Sequence, residues 1–178
     1  MPAEWEKQKS TLIGWPYNKK DWPGIFKNIP GVFAKIISKI TESQEVKLLI
    51  KNSKSQNIIK KLLKANNANI RNVKFIICKT DRVWMRDTGP IFIKNKKNQN
   101  ILLNWKFNGW AKYKNHKEDN KVILRIKNYY KGDVISPKFN KKLIVLEGGS
   151  IDVNGKGLLL TTKECLLSKI QQRNSCLK

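Results

Sequence analysis

Acids are scarce in this chain, so each one near aromatic or glycine-rich sequence is a candidate for chemistry. Lysine and arginine number 37 against 13 aspartates and glutamates, a net charge of +24. Two carboxylates stand out by context. Asp87 lies in Trp84-Met85-Arg86-Asp87-Thr88-Gly89-Pro90, three residues after a tryptophan and just before a turn. Glu147 directly follows the apolar run Leu143-Ile144-Val145-Leu146 and precedes Gly148-Gly149. At a strand end, Glu147 reads as a carboxylate aimed into a pocket whose wall must be backbone. Glycines beside Glu147 permit close backbone approach. Each residue also has a plainer reading. Asp87 before Thr-Gly-Pro fits a turn cap or an ion pair with a nearby base. Trp84 fits the core, and Glu147 fits a strand end running into a loop.

A third stretch, Trp105-Lys106-Phe107-Asn108-Gly109-Trp110, combines aromatics with an Asn-Gly bend. It reads either as a loop packed by its tryptophans or as an aromatic wall of a site. Metal chemistry has little support. The only histidine is His116, the cysteines Cys78, Cys165 and Cys176 are far apart, and no C-x-x-C pair occurs. A zinc site needs about four Cys, His or acidic ligands. The odd cysteine count argues for reduced thiols.

The elements that must position these residues alternate between the two periodicities. Thr11 to Trp15, Glu45 to Ile50 and Val73 to Cys78 read as strands. Between them, apolar residues at Ile29, Val32, Phe33, Ile36, Ile37 and Ile40 predict a helix beginning near Pro30. Ile58, Ile59, Leu62 and Leu63 predict one face of a second helix over Ser53 to Ala65. Ile91 to Ile93 and Ile101 to Trp105 predict a strand pair around a polar turn. Further on, Asp119 to Tyr130 reads as a helix and Leu143 to Leu146 as a strand. Ser150 to Val153 and Gly157 to Thr161 form a hairpin about Asn154-Gly155. Thr162 caps a short helix through Cys165. The expectation is one α/β domain over residues 1–178, with hairpins that argue against a purely parallel sheet. No Gly-x-Gly-x-x-Gly or Walker sequence supports nucleotide binding.

Length and composition set the remaining bounds. A chain of 178 residues buries roughly 70% of its extended surface when folded. The apolar runs are too short to cross a bilayer, and the start, MPAEWEKQK, has no apolar signal region; no membrane contact and a cytoplasmic location are expected. The positive charge raises nucleic-acid binding. Its lysines are scattered rather than clustered, and no RNA-binding aromatic motif occurs, so nucleic acid is not the expected partner.

Taken in order, MPAEWEKQKSTLIGWPYNKKDWPG, TDRVWMRDTGPIFI, NWKFNGWAKY and VLEGGSIDVNGKGLLLTTKECLL resemble the agmatine deiminase family, which includes bacterial Porphyromonas-type peptidylarginine deiminases. The resemblance runs along essentially the whole chain. It implies a pentein-type α/β propeller of five units, of which this chain would hold about half, the N-terminal part. It implies hydrolysis of a guanidinium: agmatine and water give N-carbamoylputrescine and ammonia, a step in putrescine biosynthesis, with no metal or organic cofactor. Asp87 matches the aspartate that grips the guanidinium, Trp84 an aromatic of the same pocket, and Glu147 the glutamate of the catalytic group. The family's catalytic histidine and nucleophilic cysteine lie beyond the region matched. His116 matches no catalytic position, Cys165 falls in a segment without catalytic use, and Cys176 lacks a Gly-rich context. Nor do Asp152 and Asn154 replace the missing pair. The expectation is a fragment inactive by itself, with a separately encoded C-terminal half as a possible partner. The rival readings are a peptidylarginine deiminase-like protein and a basic nucleic-acid-binding module on the same scaffold. The FNGW stretch, without paired arginines to hold a peptide carboxylate, is more similar to the members acting on small substrates.

Overall fold

A computed structural model describes residues 1–170 and Asn174. The chain forms two compact units. One is Lys7–Met85; the other joins Met1–Glu6 to the segment from Arg86 onward.

The Lys7–Met85 unit is a three-stranded parallel sheet with helical crossovers. Its strands are β1 (Ser10–Gly14), β2 (Glu45–Ile50) and β3 (Val73–Ile77), in that spatial order. Parallel neighbours need long connections, and α1 (Ile29–Ile40) and α2 (Ser53–Ala65) supply them. β2 is central, and Val46, Leu48, Leu49 and Ile50 are buried. Apart from Lys47, which is buried with its Nζ on Ser10 and Glu45, the run is apolar, as a strand covered on both faces requires. Val46, Leu48 and Ile50 share one core with Ala34 and Ile37 of α1 and Ile59 and Leu63 of α2.

Both helices fall where their periodicity predicts, with Pro30 in the first turn of α1. The Asn52 side chain caps α2 by accepting from the Ser55 amide at 3.1 Å. The buried faces are narrower than the apolar spacing predicts. Val32 and Ile36 of α1 are 47% and 46% exposed, and Ile58 of α2 is 72% exposed. Ala34 and Ile37 lie three apart and centre the α1 contact, which turns Val32 and Ile36 toward the opposite side of the helix.

The second unit resumes at Arg86 within α3 (Met85–Thr88), a single turn that carries Asp87. The predicted strand pair follows as β4 (Ile91–Lys94) and β5 (Asn100–Leu103), antiparallel, with β6 (Asp133–Ile135) parallel to β5. β6 has no period to reveal it. It is three residues long and entered through Gly132, where a Cβ would stand 2.2 Å from the Asn100 carbonyl oxygen.

The helix expected over Asp119 to Tyr130 is broken. Only α4 (Val122–Ile126) is α-helical, between 3-10 turns at Asp119–Lys121 and Lys127–Tyr129. The strand expected over Leu143 to Leu146 is likewise split. Its first residue, Leu143, belongs to β8 (Lys142–Leu143), hairpinned to β7 (Lys138–Phe139) through Asn140 and Lys141, both with positive φ. Val145 then makes an isolated parallel bridge with Lys106. β9 (Ile151–Val153) and β10 (Leu159–Thr161) form the Asn154-Gly155 hairpin. Thr162 caps α5 (Lys163–Leu167), its hydroxyl accepting from the Cys165 amide at 3.0 Å. No helix among the described residues is long and apolar enough to cross a membrane.

Candidate functional site

The two candidate carboxylates, 60 residues apart in sequence, are carried by segments that touch. The Gly149 amide donates to Asp87 Oδ1 at 3.1 Å. A Cβ on Gly149 would stand 2.4 Å from that oxygen, and one on Gly148 would stand 2.3 Å from the Arg86 carbonyl oxygen. Both distances are below what Cβ atoms tolerate. At 148 the obstacle is backbone, so glycine is a requirement of the contact with Arg86-Asp87; at 149 it is a side-chain oxygen that can turn aside.

Glu147 is buried, at 2% exposure. Its backbone is extended (φ −107°, ψ 145°), and its side chain makes no cap bond to the 3-10 turn Gly148–Ser150 that it precedes. That turn is closed by Ser150, whose amide and Oγ donate to the Glu147 carbonyl at 3.0 and 2.6 Å. A carboxylate at 2% exposure, not spent on capping, is held in place at a desolvation cost. Asp87 is half-buried.

Trp84 belongs to the Lys7–Met85 unit and is 49% exposed, so it is not a core residue. Its ring lies 6.4 Å from that of Trp22, which also packs against Phe26 and Phe33. Within this unit the residues before Trp84 are tied to the opening motif. The Thr80 amide donates to the Tyr17 hydroxyl at 3.1 Å, and Asn18 Nδ2 donates to the Asp81 carbonyl at 3.4 Å. Arg82 pairs with Asp21, and both side chains are buried. Burial pushes the Asp21 carboxyl above its ordinary value, against the opposing attraction of Arg82. Sequence reasoning missed this pair. The available signal was an acid in Lys19-Lys20-Asp21-Trp22, a rare charge beside an aromatic.

The Trp105–Tyr113 stretch is a packed loop. Phe107 and Trp110 meet edge to face with centroids 4.8 Å apart, and Trp110 meets Tyr113 at 6.0 Å. Gly109, Trp110 and Ala111 all have positive φ (64°, 55° and 56°). For Trp110 and Ala111 that is a strained state. His116 packs on this loop, its ring 6.1 Å from Phe107 and its Nδ1 3.2 Å from Asn120 Nδ2.

Of the thiols, Cys78 is buried and Cys165 half-buried in α5; Cys176 lies outside the described residues. No cluster of three or more His, Cys, Asp or Glu able to hold a metal occurs among the described residues. An open cleft of about 530 Å³, lined by Lys7, Gln8, Lys9, Ser43, Gln44, Glu45 and Asn72, contains none of the candidate residues.

With this geometry in view, comparison with known proteins places the chain. It belongs to the Porphyromonas-type peptidyl-arginine deiminase family, whose model matches residues 1–178. A "Putative agmatine deiminase" from Mycoplasma capricolum subsp. capricolum is 34% identical over 179 residues, covering 95% of this chain and 44% of that relative. One of the same name from Yersinia pseudotuberculosis is 33% identical over 173 residues, covering 94% and 44%. Among solved structures, a C. jejuni agmatine deiminase variant with substrate bound superposes with a TM-score of 0.78 at 29% identity, covering 99% of this chain and 48% of that one. The agmatine deiminase of Enterococcus faecalis gives 0.81 at 26% identity, covering 100% and 47%. The chain thus spans about half the length of the curated relatives it matches.

Proposed function

We propose that this chain supplies the guanidinium-gripping half of an agmatine deiminase-like hydrolase, built on part of a five-unit pentein propeller. The observation that supports this best is the pairing of Glu147-Gly148-Gly149 against Arg86-Asp87. It joins the segments of two of the scarce acids through an approach that requires glycine at 148. Two carboxylates so held suit the forked N–H groups and the delocalised charge of agmatine. Trp84 enters the proposal on the family resemblance and on its exposed ring, whose face suits a cation.

The reaction is hydrolysis of agmatine to N-carbamoylputrescine and ammonia, without a metal or organic cofactor. A cysteine thiolate attacks the guanidinium carbon and ammonia leaves; water then releases the product from the covalent intermediate, with a histidine moving the protons. This chain's own residues bind and orient the cation. In this proposal the thiol and imidazole come from a separately encoded C-terminal half. His116 packs a loop, and Cys165 lies in a short capped helix.

Calorimetry with agmatine tests the gripping role. Binding is expected, and Asp87→Asn and Glu147→Gln are each expected to weaken it at least about tenfold, as for loss of one partner of a desolvated charge pair. Binding unchanged in both variants refutes the role. Ammonia release from agmatine is expected only when the chain is co-expressed with a C-terminal half. Release by the chain alone, unaltered in a Cys165→Ala, Cys176→Ala double variant, would show a different chemistry.

A further inference from the structure

The segment that delivers Glu147 is not part of a regular sheet. Lys106 and Val145 form an isolated bridge: the Lys106 amide donates to the Ile144 carbonyl at 3.0 Å, and the Leu146 amide to the Lys106 carbonyl at 3.3 Å. A two-strand ladder this short leaves backbone groups unpaired on both outer sides, which is costly when they are buried. Two asparagine side chains fill those sides. Asn174 Oδ1 accepts from the Val145 amide at 2.7 Å, and its Nδ2 donates to the Val145 carbonyl at 2.8 Å. Across the ladder, Asn120 Oδ1 accepts from the Phe107 amide at 2.9 Å and its Nδ2 donates to the Phe107 carbonyl at 2.7 Å.

Each carboxamide therefore copies the donor–acceptor pair that a neighbouring strand would present. Both are anchored from behind. Asn174, 4% exposed, also donates to the Leu166 carbonyl from its backbone amide and from Nδ2, at 3.2 and 3.1 Å. Asn120 Nδ2 also reaches the His116 carbonyl at 3.0 Å. In extended backbone, side chains two residues apart point the same way. Val145 and Glu147 are both buried, with Leu146 less so between them. Fixing both polar groups of Val145 thus fixes the direction in which Glu147 leaves the chain.

We infer that Asn174 and Asn120 are positioning residues for Glu147: side-chain surrogates for two missing strands that aim its carboxylate. The inference rests on the assignment of Glu147 to the guanidinium, and its test separates the two. The full chain, labelled with 13C and 15N, is followed by NMR. The signals are exchange protection of the Val145 and Phe107 amides and the side-chain carboxyl resonance of Glu147, which is identified by its loss in Glu147→Gln. Asn174→Ala and Asn120→Ala are expected to cut protection of the partnered amide at least about tenfold and to shift the Glu147 resonance. The amides of β1 to β3 stay protected. Asn174→Asp, which keeps the acceptor and loses the donor, is expected to fall between wild type and Asn174→Ala. Protection lost with the Glu147 resonance unmoved overturns the inference. So does collapse of protection throughout residues 86–170 in every variant, which would make the asparagines general supports of the fold.

A double-mutant cycle with agmatine as the probe reads the coupling. Asn174→Ala is expected to weaken binding about tenfold in the native background and less than about twofold in Glu147→Gln, because coupled sites are non-additive. Equal weakening in both backgrounds overturns the inference. If the unsubstituted chain binds no agmatine while the Glu147 resonance moves as expected, the proposed function fails and the positioning role stands.

Discussion

A Cβ on Gly148 or Gly149 would crowd its neighbours, but the atoms met differ, and the two variants should fail differently. A Cβ at 148 meets the Arg86 carbonyl, which is backbone and cannot step aside. Gly148→Ala is expected to cost about 1–3 kcal/mol of stability, the range for forced overpacking, read as a lowered thermal midpoint. At 149 the obstacle is the Asp87 carboxylate, which can rotate. Gly149→Ala is expected to cost less stability than Gly148→Ala and to lose agmatine affinity instead; a variant that binds normally would detach Asp87 from the site. The buried Arg82–Asp21 pair gives a pH test. Arg82→Met removes the group that pulls the raised Asp21 carboxyl back down, at a cost of about 3–5 kcal/mol where a buried charge is left behind. A folded-state value above the unfolded one stabilises at low pH, and that stability is lost as pH rises through the folded value. The deficit of Arg82→Met relative to wild type should therefore be larger at pH 7 than at pH 4, measured by urea unfolding. At this scale the scarcity of acids drew attention to the candidate carboxylates, but it was the ordered family motifs around them that favoured a site over a turn cap. The asparagines that support them were not legible, since one Asn among many carries no signal until its partners are known.

Among the elements, legibility followed period length. α1, α2 and the parallel strands run five residues or more and sit where their patterns predict. The segment from Asp119 to Tyr130 looked like one helix because Val122, Ile123 and Ile126 keep helical spacing. Its ends are instead 3-10 turns. Glu118 stands at the front of this segment and binds Lys121 at 3.0 Å and Arg125 at 2.7 Å. The hydrogen bonds from Lys121 and Arg125 lower its carboxyl from 4.5 to about 2. A lowered folded-state value stabilises above the unfolded value and is lost as pH falls through the folded one. Glu118→Gln should thus be less stable than wild type at neutral pH, with the gap closing between pH 4.5 and about 2. A gap that persists unchanged at pH 2 would show that packing, not charge, is responsible. In the Trp110-Ala111 turn, Ala111→Gly relieves a left-handed alanine and should gain about 1 kcal/mol.

For the whole molecule, the family and the mixed α/β character were readable from ordered motifs, each weak alone. Apolar exposure was not readable, because periodicity does not say which faces find partners. Leu158, Leu159 and Leu160 are 56%, 50% and 61% exposed around β10, the outer strand of a two-stranded sheet. Unpaired strand edges with apolar side chains template association. Light scattering of the isolated chain is expected to show concentration-dependent self-association that a Leu158→Lys, Leu160→Lys variant suppresses. A monodisperse wild type at all concentrations would contradict this.

The discontinuity of the second unit also has a consequence for biosynthesis. Met1–Glu6 is grouped with the segment from Arg86 onward, and Ala3 is buried where Gly155 closes on it, a Cβ there meeting the Ala3 amide nitrogen at 2.8 Å. The Lys7–Met85 unit has all its residues once Met85 leaves the ribosome. Gly155 follows about 70 residues later, on the order of 4–14 s at about 5–20 residues per second. Residues 1–6 are therefore synthesised before the Lys7–Met85 unit, yet their packing partners emerge after that unit has all its residues.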